Sequence, residues 1–442
     1  MVVRKTVCLR RVGGNRKGEE QAGRLFANPK VTAEKIVEGW SDRTGSACAG
    51  RHVLAIRACP RALDPGDTTE VKFPTTAQRR RGLGPVKKGN AYGVLVHAMI
   101  AVDATTNACL GLVGGEVWTR AGVVTEHHRD RPFEDRESHR WLATAERAKE
   151  VLRPAAMITV VSDREGDIYP KWASLPQTGV HLLTRAMVDR RLVGGGTLFA
   201  AMSEVAVAGS RRIDLPARQP DRAKRTAVVE LRYGTVEICR PRDEQDRTLA
   251  KTVRLWLVDV REVNPPADAE ALHWRLVTTH EITDAAKAWQ VVGWYQARWV
   301  IEQPFRVMKS QGLQLEDSQL CAAERLVKLA AAATKAACID IQLTQERDGK
   351  DQLPASNVFT APEIETLEAL CPTPEGKTVR QQNPYPVASL AWAAWIIARL
   401  GGWNCYYKPA GPITMRRGMA QFYSIHRGRQ LEMMPKREVR IP

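Results

Sequence analysis

One segment, residues 294–309 (WYQARWVIEQPFRVMK), constrains the fold of this chain more than any other feature of the sequence. Placed on an α-helix at about 100° per residue, Tyr295, Arg298, Glu302 and Lys309 fall within a stripe about 60° wide. The neighbouring stripe is apolar and consists of Trp294, Ile301, Phe305 and Met308. The pattern predicts a helix that packs through its apolar stripe and presents a phenol, a carboxylate and two cations along the next one.

These four polar side chains suit a site that binds a metal ion and a phosphate together. Glu302 would bind the hard cation, and Tyr295, Arg298 and Lys309 would bind phosphate oxygens. An amphipathic helix with a solvated pair between Glu302 and Arg298 is the alternative interpretation.

A second motif follows the pattern of a buried strand. Residues 157–162 (MITVVS) are mostly apolar, and they lead directly into Asp163, Arg164 and Glu165. The carboxyl end of a strand is where α/β sheets place their sites, so Asp163 is a candidate site residue. The alternative is an aspartate that begins a turn or caps the next helix.

The charge balance indicates a polyanionic partner. The 442 residues include 66 Lys and Arg against 49 Asp and Glu, which gives a net charge of +17. Nucleic acid is the default partner, because cations that contact phosphates release condensed counterions. The clusters that could follow phosphates are residues 79–81, 87–88, 211–212, 222–225 and 416–417. Each cluster taken alone is more often a solvated face.

Cysteine and hydropathy patterns favour a cytoplasmic protein. The nine cysteines include no CxxC pair, which argues against a disulfide framework and a zinc ribbon. No run approaches the roughly 18 apolar residues that a membrane span needs.

The order of patterns along the chain predicts a mixed α/β sheet. Strand patterns at 52–56, 92–103, 108–119, 157–162 and 181–184 accompany a helical pattern at 136–151. Alternating strands between residues 194 and 268 indicate a β-rich insert. Helical patterns follow, so the C-terminal region is expected to be helical.

These motifs resemble bacterial DDE transposases of the insertion-sequence-four group, which are Tn-five-like. Residues 295–309 match the signature Tyr-x2-Arg-x3-Glu-x6-Lys, and residues 163–165 match the second-aspartate motif of that group. Residues 67–69 (Asp-Thr-Thr) look like the first-aspartate motif, although this tripeptide alone is a weak signal. The resemblance extends from about residue 18 to residue 442.

The resemblance implies an RNase H-like core with Asp67, Asp163 and Glu302 as the catalytic, metal-binding triad. Three such carboxylates can hold two Mg²⁺ ions about 3.5–4 Å apart, with Mn²⁺ as an alternative, for in-line phosphoryl displacement. The implied reaction is cut-and-paste transposition, with cleavage and strand transfer at insertion-sequence ends. No covalent enzyme intermediate is required.

The resemblance also implies DNA contacts and a paired-end homodimer. Tyr295, Arg298 and Lys309 would contact the DNA backbone near the cleaved end. Relatives of this group cut through a hairpin, and Trp274 would hold a base that is flipped out of the stack. A core tryptophan on a strand is the alternative for Trp274.

Five regions are predicted along the chain, the catalytic Glu302 helix belonging to the fourth. They are a shortened N-terminal region (1–50, helical or disordered), the first part of the core (51–190), the β-rich insertion (191–270), the second part of the core (271–345) and a C-terminal helical dimerisation region (346–442).

The strand that should carry the first aspartate departs from the family pattern. Residues 53–56 would normally run directly into Asp67, but residues 57–66 intervene and contain two prolines that cannot continue a central strand. Asp64 and Asp103 are weaker substitutes for Asp67, and Asp103 is expected to be a turn residue.

Three further departures concern the ends of the motifs. Only residues 1–15 precede the part that resembles the join to the core, so the end-recognition domain is expected to be missing. Pro304 is expected to kink the helix between Glu302 and Lys309, at a cost of about 3 kcal/mol. Tyr169 stands where close relatives place a histidine.

These departures leave three hypotheses. The first is an active transposase, and the second is a truncated or degenerate relative that acts as a non-catalytic, dimerising, DNA-binding inhibitor. The third is a basic nucleic-acid-binding protein unrelated to transposition, which leaves the spaced signature unexplained.

Overall fold

The structure is a computed structural model that describes residues 7–57, 69–73, 81–86, 91–120, 139–215, 225–267, 269–309, 313–406 and 408–433. The chain divides into two compact units, each described by itself below. The first unit draws on residues 1–49, 68–125 and 302–442, and the second on residues 50–67 and 126–301.

The strands are β1 (His52–Arg57), β2 (Thr69–Phe73), β3 (Gly84–Pro85), β4 (Tyr92–Asp103), β5 (Cys109–Trp118), β6 (Met157–Ser162), β7 (Val180–Arg185), β8 (Gly209–Leu215), β9 (Arg225–Cys239), β10 (Thr252–Glu262) and β11 (His273–Thr278). The α-helices are α1 (Leu9–Gly13), α2 (Arg16–Ala27), α3 (Ala33–Glu38), α4 (Thr44–Ala47), α5 (His139–Val151), α6 (Tyr169–Ser174), α7 (Leu198–Glu204), α8 (Ala285–Ala297), α9 (Glu302–Lys309), α10 (Ala323–Glu346), α11 (Ala361–Leu370), α12 (Leu390–Leu400) and α13 (Pro412–Met433). The prediction of a mixed α/β protein is confirmed.

The second unit is built on a mixed sheet with the strand order β1-β6-β7-β11-β10-β9-β8. β1 and β7 both run parallel to β6, so the carboxyl ends of these three strands lie at one edge. The remaining neighbours are antiparallel. Residues 53–56 and 158–162 are buried, which explains their nearly continuous apolar sequence, since parallel strands covered on both faces do not alternate.

β1 ends at Arg57, and the next strand begins at Thr69. The strand therefore stops where residues 57–66 were expected to interrupt it. Asp64 and Asp67 lie outside the described residues, as do the whole basic cluster 87–88 and parts of two others, residues 79–80 and 222–224.

In the first unit, β4 pairs antiparallel with both β2 and β5. The β4–β5 hairpin turns at Asp103, whose Oδ1 accepts hydrogen bonds from the N–H groups of Thr105 (2.8 Å) and Thr106 (3.1 Å). The prediction that Asp103 is a turn residue is confirmed. The long helix α10 packs against β5, α3 and α9, and the apolar helix α12 is buried over most of its length.

The expectation of one continuous helix with a kink after Glu302 is wrong. α8 ends at Ala297, residues 298–301 form a 3₁₀ turn, and α9 begins at Glu302, ahead of Pro304. The physical reason is the geometry of proline, which lacks the N–H that would bond the Val300 carbonyl four residues earlier and whose ring clashes with that carbonyl. The disturbance therefore falls before the proline.

Two predictions from composition can be compared with the structure. The eight cysteines that fall within the described residues form no disulfide with one another. Over the same part of the chain, none of the helices has both the length and the apolarity to cross a bilayer.

Candidate functional site around Asp163

Asp163 lies at the carboxyl edge of the second unit's sheet. It directly follows β6, its backbone is extended (φ −88°, ψ −169°), and it caps a 3₁₀ turn over residues 164–166. Its Oδ1 accepts a hydrogen bond of 2.8 Å from the N–H of Arg164. The alternative interpretation of Asp163 as a turn-capping residue is therefore correct, but it does not describe all the contacts of this carboxylate.

Two residues of the Tyr-Arg-Glu-Lys signature reach the same carboxylate. The Tyr295 hydroxyl donates a hydrogen bond of 3.1 Å to Asp163 Oδ1, across 132 residues of sequence. Arg298 Nη2 lies 3.5 Å from Asp163 Oδ2. The Arg298 guanidinium also lies 5.6 Å from the centroid of the Tyr295 ring and 5.2 Å from that of Trp299. A phenol and a cation thus meet one carboxylate at a strand end.

Trp274 completes this group, which we call the Asp163 cluster (Asp163, Trp274, Tyr295 and Arg298). Trp274 lies on β11, and its ring meets that of Tyr295 edge to face, with centroids 5.4 Å apart. The exposed fractions are 6% for Trp274, 1% for Tyr295 and 4% for Arg298. The alternative of a core tryptophan on a strand describes this placement of Trp274.

The other members of the signature lie in the first unit. Glu302 is the first residue of α9 and Lys309 the last, and both side chains are partly exposed. Across the residues that the structure describes, no three His, Cys, Asp or Glu side chains form a group that could hold a metal ion. Of the three predicted metal ligands, Asp163 thus belongs to the second unit and Glu302 to the first, and Asp67 lies outside the described residues.

The buried pair of Asp167 and Arg190, which follows Asp163 in the chain, is not predicted from the sequence. Asp167 accepts hydrogen bonds from Arg190 Nη2 (2.7 Å) and Nε (3.0 Å), and from the N–H groups of Met187 and Val188. The acidic spacing of the segment 163–167 was a signal that could have found Asp167. Nothing in the sequence marks Arg190 as its partner.

Lys171 was missed as well, although its side chain is completely buried. Its Nζ lies 2.6 Å from Ser162 Oγ, 3.1 Å from Thr184 Oγ1 and 3.2 Å from the Gly166 carbonyl oxygen. Nearby, the Tyr169 hydroxyl donates to the Ala250 carbonyl at 2.8 Å, and burial raises the pKa of this phenol. Tyr169 therefore joins the first residue of α6 to the loop that precedes β10.

A histidine cluster lies further back in the same sheet. The Nε2 atoms of His52 and His280 lie 2.8 Å and 2.7 Å from the Thr159 hydroxyl, and the rings of His181 and His280 stack at 4.0 Å. Burial lowers the pKa of His280 to about 3, with further lowering by His181 and His52. These rings pack against one another within the sheet and are separate from the Asp163 cluster.

Comparisons with known proteins add little to this geometry. No protein-family model matches the chain. Among solved structures, it is similar to a piggyBac transposase in a cryo-EM synaptic complex with hairpin DNA, with a TM-score of 0.35 and 10% sequence identity. The match covers 88% of this chain and 55% of that chain, so this chain spans little more than half of that protein. A likeness this weak does not establish a common fold.

Proposed function

We propose that this chain is a DDE-type DNA transposase of the insertion-sequence-four group, built on an RNase H-like core. The observation that carries the proposal is the hydrogen bond between Tyr295 and Asp163, supported by the adjacent Arg298. The two residues lie 132 positions apart in sequence. Their side chains meet at the carboxyl end of a buried parallel strand, where α/β folds hold their sites.

The reaction needs carboxylates that can hold hard cations, and the proposed ligands are Asp67, Asp163 and Glu302. Carboxylate oxygens are the donors that Mg²⁺ prefers, and Mn²⁺ accepts the same set. Two such ions, when bound, would activate the attacking oxygen and stabilise the leaving oxygen of an in-line displacement. Tyr295 orients the Asp163 carboxylate through its hydrogen bond.

Arg298 would act on both the carboxylate and the substrate. Its guanidinium lies within 3.5 Å of Asp163 Oδ2, so a phosphate that approaches the carboxylate also approaches this cation. Guanidinium groups bind phosphates in a bidentate manner. Lys309 would contribute a further backbone contact, and Trp274 would hold a flipped base after separating from the Tyr295 ring.

The wider DNA path would use the basic surface. Arg211 and Arg212 are exposed on β8, the edge strand of the second unit, and the Arg211 guanidinium lies 4.7 Å from the Trp289 ring centroid. A net charge of +17 favours salt-sensitive binding to DNA. A homodimer formed through the C-terminal helices, acting in the cytoplasm on insertion-sequence ends and target DNA, completes the proposal.

The test is strand cleavage by the purified chain. DNA carrying the terminal repeats that flank the gene, incubated with Mg²⁺ or Mn²⁺, should be nicked at its 3′ ends. The variant Asp163→Asn should lose cleavage, whereas Asp243→Asn, at an exposed aspartate between β9 and β10, should keep it. Absence of cleavage by the wild-type chain under every such condition would overturn the proposal.

One observation favours the second candidate, a non-catalytic dimerising inhibitor. The carboxyl end of β1 carries Arg57, which is 1% exposed and donates to the Arg140 carbonyl at 3.4 Å. β1 lies next to β6, and the family pattern would place the first aspartate at the end of this strand. Co-expression with an intact relative separates the two functions, because an inhibitor lowers the transposition frequency and an active enzyme does not.

A further inference from the structure

The ammonium group of Lys171 lies inside the second unit, close behind the Asp163 turn. Lys171 is the third residue of α6 and is completely buried. Burial of an ammonium group is costly unless several oxygen atoms surround it. Here the hydroxyls of Ser162 and Thr184 and the carbonyl of Gly166 accept its hydrogen bonds, at 2.6, 3.1 and 3.2 Å respectively.

These three acceptors lie close to Asp163, two of them in the adjoining chain and one on the neighbouring strand. Ser162 is the last residue of β6 and directly precedes Asp163, and Gly166 ends the 3₁₀ turn that follows it. Thr184 is the register partner of Ser162 on the neighbouring parallel strand β7. A single side chain therefore connects the strand end, its neighbour in the sheet and the turn.

The turn is packed tightly onto this connection. A Cβ atom on Gly166 would lie 2.4 Å from Ser162 Cβ and 3.2 Å from Lys171 Nζ. Distances this short leave no room for a side chain, so glycine is required for the turn to fold back over the lysine. Lys171 and Gly166 thus constrain the turn through contacts with residues 162 and 166, while Tyr295 contacts the Asp163 carboxylate itself.

We propose that Lys171 is a positioning residue for the Asp163 carboxylate. The lysine bonds the Ser162 side chain just before Asp163 and the Gly166 backbone carbonyl just after it, so the carboxylate stays at the edge of the sheet in one orientation. Its importance for catalysis rests on the proposed function, whereas its effect on the turn does not. A methionine at this position would fill a similar volume without making the three hydrogen bonds.

The experiment compares the wild-type chain with Lys171→Met by three measurements. Amide hydrogen exchange of residues 163–167 reports on the turn, Mn²⁺ titration followed by electron paramagnetic resonance reports on the carboxylate, and urea unfolding reports on the fold. We expect at least tenfold faster exchange confined to the turn and about tenfold weaker Mn²⁺ binding, the loss typical of residues that orient a ligand. Lys149→Met, at a partly exposed ion pair with Glu146 on α5, is the control and should change neither quantity.

Ser162→Ala is a milder second variant, which removes the shortest of the three contacts and should change both quantities in the same direction. Exchange that stays at the wild-type rate in both variants would overturn the inference. Faster exchange with unchanged Mn²⁺ affinity would also overturn it, because Lys171 would then serve only the packing of the turn. If the wild-type chain binds no Mn²⁺, the proposed function fails, and the exchange measurement alone decides the effect of Lys171 on the turn.

Discussion

The hydroxyl of Tyr295 donates a hydrogen bond to Asp163 from a helix that begins more than a hundred residues further along the chain. The bond joins α8 to the carboxyl end of β6, and the edge-to-face contact with Trp274 extends the connection to β11. One phenol thus links three elements of the second unit at the point where the candidate site lies.

Removing this hydroxyl should weaken the fold and the site together. Tyr295→Phe keeps the ring on Trp274 but removes the donor to a carboxylate, so we expect a loss of about 2 kcal/mol in the free energy of unfolding. Cleavage should fall because the carboxylate loses an orienting contact. Urea unfolding and a cleavage assay check this, with Tyr406→Phe as the control because its hydroxyl bonds Thr378 at the surface. Equal stability of Tyr295→Phe and wild type would contradict the prediction.

The buried pair between Asp167 and Arg190 should contribute strongly to stability. Its side chains are 2% and 8% exposed, and the closest atoms lie 2.7 Å apart. Asp167→Ala leaves a buried guanidinium without its carboxylate, and such losses cost about 3–5 kcal/mol. Denaturant unfolding measures the effect.

A matched control for Asp167→Ala is Glu20→Ala, which removes an exposed partner of Arg16. Surface pairs contribute about 0–1 kcal/mol, so this variant should stay close to wild type. Similar losses in the two variants would show that burial does not set the strength of the Asp167 pair.

The histidine cluster should make stability fall in acid. Burial lowers the pKa of His280 to about 3 from an ordinary value of 6.5, so the folded state binds fewer protons than the unfolded state between these values. The contribution of His280 to the free energy of unfolding is therefore fully present above pH 6.5 and is lost as the pH falls towards 3. His280→Gln retains hydrogen-bonding capacity and should flatten this slope in thermal melts between pH 4 and 7. An unchanged slope would rule out His280 as its source.

Glu346 should act with the opposite sign in the first unit. Burial raises its pKa to about 7 from an ordinary value of 4.5, and its side chain is almost completely buried. The folded state binds the extra proton, so the contribution to stability is complete below pH 4.5 and is lost as the pH rises through 7. Glu346→Gln should melt higher than wild type at pH 8 and equally at pH 4.5. The exposed Glu365→Gln is the control, and a melting temperature that shifts equally at both pH values would contradict the assignment.

Local sequence patterns predict a strand or a turn well where neighbouring residues determine it. The strand over residues 157–162 has the predicted limits, because a short apolar run followed by Asp163 specifies a buried strand and its end. The β4–β5 hairpin followed from the turn residues that begin at Asp103. In both cases, the determining residues are neighbours in the chain.

The missed features depend on contacts between different elements of the fold. Lys171 bonds Thr184, and His280 bonds Thr159 across 121 residues, so no local pattern marks either side chain as buried. The break lies before Glu302, whereas the kink is expected between Glu302 and Lys309, for a different reason. The ring of Pro304 acts on the carbonyl four residues earlier, which lies in the 3₁₀ turn.

The two carboxylate oxygens of Asp163 are chemically inequivalent. Oδ1 accepts from a backbone amide and a phenol, whereas Oδ2 faces the guanidinium of Arg298. A cation that arrives at Oδ2 must therefore compete with a positive charge already there, and an anion that draws the guanidinium away removes this competition. Under the proposed function, binding of a nucleic-acid phosphate and of a divalent ion should therefore be cooperative, because a phosphate that draws Arg298 away would free Oδ2 for the ion.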